Sequence, residues 1–186
     1  MILVTGATSG GKSVELLYTN GSRLCNLPDL PYDRYLHTQT GLTLCGGRHD
    51  PESTNCQTLS TTGSWEETHS LSMRRASHCA WNSPQGLILI GGWHTGNQDT
   101  TEILLENGDS NPGFNLGYKT SNACEIDESE TVIITGGAAY SGYSWNYVKR
   151  YTAIDGSVTS LPNMKNARSD HACGFYTTSS NSIVQS

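Results

Sequence analysis

Eight residues near the start of the chain, Gly6-Ala7-Thr8-Ser9-Gly10-Gly11-Lys12-Ser13, match the GxxxxGK[ST] pattern of a phosphate-binding loop. Such a loop aims backbone N–H groups and a helix N-terminus at phosphate oxygens, so a helix has to begin near Lys12. The chain instead continues as SVELLYTNGS, which lines up with two later segments, NCQTLSTTGS and TEILLENGDS, that read as strands running into turns. No later apolar strand ends in an aspartate that would hold magnesium. A strand is therefore expected here, with nucleotide binding at Gly6 to Ser13 as the alternative.

Basic residues recur in step, as Arg34-x-x-His37, Arg75-x-x-His78, Lys119-x-x-Asn122 and Arg168-x-x-His171. Four cations at one repeated position predict a basic ring at a channel mouth, where guanidinium groups hold an acidic peptide by paired hydrogen bonds. The other use for the same donors is to brace neighbouring loop carbonyls. His37, His78 and His171 also share a position, but residues a whole unit apart do not converge to metal-ligand distance, and no metal is expected. The six cysteines (Cys25, Cys45, Cys56, Cys79, Cys124 and Cys173) include no CxxC pair, which argues against zinc. Cys45 and Cys56 fall where side chains face each other across one expected hairpin, so they are candidates for a cross-strand disulfide. Cys79 and Cys124 occupy matching positions in successive units. Buried free thiols are the alternative for these cysteines.

Strands must position these residues, and the apolar pattern supplies them. LTLCGG, LILIGG and VIITGG close at Gly47, Gly92 and Gly137, 45 residues apart, and a weaker copy, ILVTGATSGG, opens the chain. About ten residues past each glycine pair comes a second segment: SVELLY, NCQTLS, TEILLE or YVKRYT. Each runs into NGS, TGS, NGDS or DGS, where Asn-Gly and Asp-Gly supply the positive φ of tight hairpin turns. Leu24, Trp65, Phe114 and Val158 come after the turns. With no sustained 3.6-residue period, the fold class is all-β, in units of about 1–33, 34–74, 75–118, 119–167 and a partial 168–186. Strand alternation puts the loops 7–12, 48–55, 93–99 and 138–146 on one face with the lead-in segments that carry Arg34, Arg75, Lys119 and Arg168. Trp93, Tyr140 and Tyr143 lie in those loops and are candidate partner anchors. Trp145 is expected to fold back over its own loop.

The apolar runs before Gly46-Gly47, Gly91-Gly92 and Gly136-Gly137, with an aromatic or apolar residue after the third-strand turn, make the chain resemble the kelch-repeat family. That resemblance covers nearly the whole sequence and implies a β-propeller of four-stranded blades whose usual work is holding other proteins. Only Trp65 supplies the tryptophan of the pattern, and the second glycine is missing beside Gly6. The chain opens inside a unit and ends at NSIVQS where another glycine pair is expected. An incomplete propeller is therefore the expectation, with pairing of the two chain ends into a ring of four as the alternative. Kelch-like propellers include copper-radical oxidases, which need His and Tyr ligands together, and no such arrangement can be assembled here. VTGATSGG also resembles the dinucleotide turn of short-chain dehydrogenases, but no Tyr-x-x-x-Lys comes after it. The function expected is a non-catalytic interaction module with a protein or peptide partner and no cofactor.

Composition excludes other classes. The 186 residues carry a formal net charge of −6, the wrong sign for electrostatic binding of nucleic acid. No uninterrupted apolar stretch is long enough for a spanning helix. Only 15% of residues are charged while Ser and Thr number 43, a surface that suits strands and turns. The start does not read as a signal peptide, whereas the sequon Asn20-Gly21-Ser22 and the even cysteine count lean toward an extracellular setting.

Overall fold

The computed structural model describes residues 2–7, 11–18, 23–24, 27–48, 54–93, 99–121, 123–139 and 141–174. Among them there is no α-helix, and no helix long and apolar enough to cross a membrane. Strands β1 (Ile2–Ala7), β2 (Gly11–Leu17) and β3 (Arg23–Leu24) form a three-stranded sheet. Three four-stranded sheets come next: β4 (Thr38–Thr40), β5 (Thr43–Cys45), β6 (Asn55–Leu59) and β7 (Trp65–Ser70); β8 (Cys79–Ser83), β9 (Gly86–Ile90), β10 (Thr100–Leu104) and β11 (Ser110–Asn115); β12 (Cys124–Asp127), β13 (Thr131–Thr135), β14 (Val148–Thr152) and β15 (Val158–Leu161). Each sheet is an antiparallel meander in chain order.

The strands that lead to glycine pairs are apolar on both faces because both faces are covered. In β9, Ile88 and Ile90 pack with Val132, Ile134 and Tyr151 of the fourth sheet, while Leu89 packs with Cys45, Cys56 and Leu104 on the other side. A half-solvated strand would alternate; a sandwiched one reads as a continuous apolar run. Trp81 is fully buried in the larger cluster, and its indole N–H reaches Asp127 Oδ1 at 3.1 Å. Hydroxyls do similar work nearer the surface: Thr43, Thr58 and Thr68 form a cross-strand ladder at 2.8 and 3.1 Å.

The glycine pairs are the seams between sheets. The first glycine closes its own sheet, with Gly46 N donating to Asn55 O at 3.0 Å and Gly91 N to Thr100 O at 3.0 Å. The second reaches into the next sheet's lead-in, where Gly47 N donates to Arg75 O at 2.7 Å, Gly92 N to Thr120 O at 3.0 Å and Gly137 N to Arg168 O at 2.9 Å. A Cβ on Gly46 would overlap the Arg75 carbonyl oxygen, and φ there is +59°, so the position needs glycine twice over. The lead-ins return the constraint: Leu36, Ser77 and Asp170 hold φ of 56°, 52° and 52° at matching positions.

Lys12 lies in β2, not at the head of a helix, and its ammonium donates to Pro31 O at 3.0 Å. The geometry a phosphate loop needs is therefore missing at Gly11 to Ser13; residues 8–10 lie outside the described set.

Candidate functional site

Two of the four expected ring members are not accessible to a ligand. Arg34 and Arg75 are each only 1% exposed. Arg34 Nη1 donates to Gly46 O at 2.7 Å and Asn55 O at 3.1 Å, and Nη2 bonds the Asn55 side chain. Arg75 repeats this with Gly91 O at 2.7 Å and Thr100 O at 3.1 Å, and adds Thr100 Oγ1 at 3.0 Å and Glu102 Oε2 at 3.1 Å. Glu102, itself 1% exposed, also accepts from the Ser72 N–H and from Ser110 Oγ at 2.7 Å. Burial pulls the Arg75 pKa down and the Glu102 carboxylate opposes it. These guanidiniums brace carbonyls, because buried charge is tolerated only where its donors are matched.

The third ring member is out of register. Gly92 bonds the carbonyl of Thr120, not of Lys119, so Thr120 holds the place of Arg75. Its hydroxyl donates to Gly136 O at 3.3 Å, a short neutral substitute for the guanidinium. Lys119 and Arg168 are exposed, and a four-membered ring does not form.

The histidines serve the seams as well. Thr5 Oγ1 and His37 Nε2 lie 2.8 Å apart, as do Thr135 Oγ1 and His171 Nε2. Burial, then the Arg34 charge, lowers His37 to about 4. Burial, then Arg75 and His37, lowers His78 to about 3. No group of three or more His, Cys, Asp or Glu side chains that would hold a metal ion occurs among the described residues. Cys45 and Cys56 are directly opposite in the β5–β6 register and form a disulfide, with Cα atoms 4.1 Å apart. Cys173 is also disulfide-bonded, whereas Cys79 is a buried free thiol whose pKa burial pushes up.

Among the described residues a cleft open to a partner lies between the β11–β12 connection and the fourth sheet. It has a volume of about 700 Å³ and is lined by Tyr118 and Lys119 from the β11–β12 connection, Trp145 and Tyr147 from the β13–β14 loop, and Lys149 and Asn163. Trp145 stacks on Tyr147 with centroids 5.2 Å apart, and both meet the Tyr118 ring edge-on, at 6.3 and 5.3 Å. Lys149 Nζ sits 4.8 Å from the Tyr118 centroid and donates to Leu116 O at 3.3 Å. The Trp145 indole donates to Lys119 O at 2.8 Å, and Arg168 N to Trp145 O at 3.0 Å, so the loop is tied to both flanking lead-ins. Trp145 thus packs on Tyr147 and across to Tyr118 and Lys119 rather than back over its own loop, because those rings offer it the larger apolar surface, while Tyr143 is 73% exposed. Trp93 carries the Arg48 guanidinium 4.7 Å above its ring. Tyr140 lies outside the described residues.

Sequence inspection missed Tyr118, Tyr147 and Lys149. The available signal was the two-residue spacing of Trp145, Tyr147 and Lys149, which puts all three on one side of extended chain.

The fold so defined is all-β, built of four antiparallel sheets, the second, third and fourth of them joined at glycine seams, and 130 solved chains are similar to it. One of them, described as "Structure of YjhT", has a TM-score of 0.74 at 12% sequence identity over 90% of this chain and 64% of that one. The chain therefore spans less than two thirds of that neighbour's length, and the likeness concerns fold alone. No family model and no curated protein sequence matches the chain.

Proposed function

We propose that the four sheets are kelch-type propeller blades and that the chain is a non-catalytic interaction module, holding an acidic peptide segment of a partner protein in the cleft beside Trp145. The glycine seams, which recur in three successive units, and the fold likeness to a longer solved chain support the propeller. The observation that carries the binding role is the cleft itself: ordered aromatic faces at Tyr118, Trp145 and Tyr147 beside the ammonium groups of Lys119 and Lys149. Aromatic planes take up apolar side chains and ammonium groups take carboxylates, a pairing that suits a peptide with both. The Cys45–Cys56 bond supports an oxidising, extracellular setting.

Selection of displayed random peptides on the immobilised protein tests this. Enriched sequences are expected to contain Asp or Glu, and to bind Lys119→Glu about tenfold or more weakly. The Lys119 side chain is exposed, so the melting temperature should stay unchanged. Enriched peptides that bind Lys119→Glu as well as the parent would overturn the reading.

A further inference from the structure

We propose that the Cys45–Cys56 bond is a reversible redox element, and that the seam around it is complementary to the dithiol form, in which the Cys45 thiol is hydrogen-bonded to His78. The proposal is independent of the cleft and its ligand.

The repeated seams supply the comparison. In each, the residue before the first glycine faces the last residue of the next Arg-x-x-His segment. Thr5 Oγ1 lies 2.8 Å from His37 Nε2, and Thr135 Oγ1 lies 2.8 Å from His171 Nε2. Where the register slips, at Thr120, Ala123 takes the histidine's place: a Cβ on Gly137 would meet Ala123 Cβ at 3.1 Å, as one on Gly92 would meet His78 Cβ at 2.9 Å. The residue before Gly91 is then Ile90, and both it and Ala123 belong to the larger core cluster. Partners therefore match in kind, hydroxyl with imidazole twice and apolar with apolar once.

The remaining seam sets Cys45 against His78. The ring is placed as His171 is, since a Cβ on Gly46 would come within 2.9 Å of His78 Cε1 and one on Gly136 within 2.8 Å of His171 Cε1. Yet His78 is only 8% exposed, and among the described residues neither of its buried ring nitrogens has a hydrogen-bond partner, whereas His37 and His171 leave only Nδ1 unbonded. The cause lies in Cys45. A thiol donates and accepts as a hydroxyl does, but a disulfide sulfur has no hydrogen to give. A buried imidazole without a partner costs free energy, and here that cost falls on the oxidised form alone.

Cys45 and Cys56 are 1% and 0% exposed, so exchange needs a local opening. Strands β4 and β5 have three residues each, the fewest in the four-stranded sheets, so this hairpin has few ladder bonds to break. The reductant is an external dithiol. Its thiolate attacks Cys56 Sγ, the S–S bond breaks, and Cys45 leaves as a thiolate that takes up the proton released by the attacking thiol. The reductant's second thiol then displaces Cys56, so that two electrons and two protons pass to the protein and the reductant becomes a disulfide.

The test is a titration of the native chain with mixtures of reduced and oxidised dithiothreitol, then alkylation and peptide mass spectrometry. Arg48 lies between the two cysteines, so trypsin separates their peptides. Cys45 and Cys56 are expected to become alkylatable together without urea. His78→Leu should need a ratio of reduced to oxidised reagent about threefold or more higher for half reduction, the scale of one lost hydrogen bond. On the unsubstituted chain, nuclear magnetic resonance should show the His78 ring-nitrogen shifts move on reduction while those of His37 stay in place, which decides the matter even where His78→Leu does not fold. Alkylation of Cys45 and Cys56 in urea only, an unchanged midpoint in folded His78→Leu, or His78 ring nitrogens that ignore reduction would each overturn the proposal.

Discussion

At the scale of single residues, chemistry is decided by what a charged group meets when water is withdrawn. Arg75 and Glu102 are both 1% exposed and held by several further bonds, so removing one partner leaves the other charged and buried. Arg75→Ala should cost about 3–5 kcal/mol in urea unfolding. Arg168→Ala, at the matching but exposed position, should stay within about 0.5 kcal/mol. The imidazoles act through pH. His37 and His78 titrate at about 4 and about 3 in the fold, chiefly because burial disfavours their charged form. Unfolded histidine titrates near 6.5, so below that pH the unfolded chain binds protons that the fold refuses. The stability that depends on these neutral rings is complete above pH 6.5 and is lost as pH falls toward 4 and then 3. Each ring contributes a slope of up to about 1.4 kcal/mol per pH unit in that window. Urea unfolding at successive pH values should show the loss, and His78→Gln should flatten it; an unflattened slope would mean that other groups carry the acid sensitivity.

At the scale of elements, the seam is the unit of construction. Gly46 and Gly63 both sit at positive φ, +59° and +81°, but a Cβ on Gly63 meets nothing within 4 Å whereas one on Gly46 overlaps the next sheet's backbone. Gly63→Ala should therefore cost only the backbone strain, about 1–2 kcal/mol. Gly46→Ala should exceed it by about 2 kcal/mol or more, since two sheets must part to admit the methyl. Chemical denaturation of the two variants side by side measures the difference. Strand order, the hairpin turns and the Cys45–Cys56 pairing were legible in the sequence because all three depend on residues within one hairpin of each other. The register slip at Lys119 was not. Thr120 takes the arginine's place through a hydroxyl contact with Gly136 that no letter pattern encodes.

At the scale of the whole molecule, sheets covered on both faces explain how a chain with so few charges builds a core: Leu89 faces one neighbour while Ile88 and Ile90 face the other. The same stacking divides the basic residues, hiding Arg34 and Arg75 between sheets and leaving Lys119 and Arg168 at the surface. It also gathers Tyr118 from the β11–β12 connection and Trp145, Tyr147 and Lys149 from the fourth sheet and its β13–β14 loop into one cleft. The proposed peptide capture belongs to this level, because the cleft draws its lining from more than one segment of the chain.

By itself the amino-acid order settled that the chain is all-β, where its strands turn and which glycines repeat, since short apolar runs and turn geometry act over a few neighbouring residues. Only the tertiary structure decided which cations are buried, which residue stands in for the missing arginine and where aromatic rings converge. Those outcomes depend on which sheet lies against which, and on the desolvation that each contact brings.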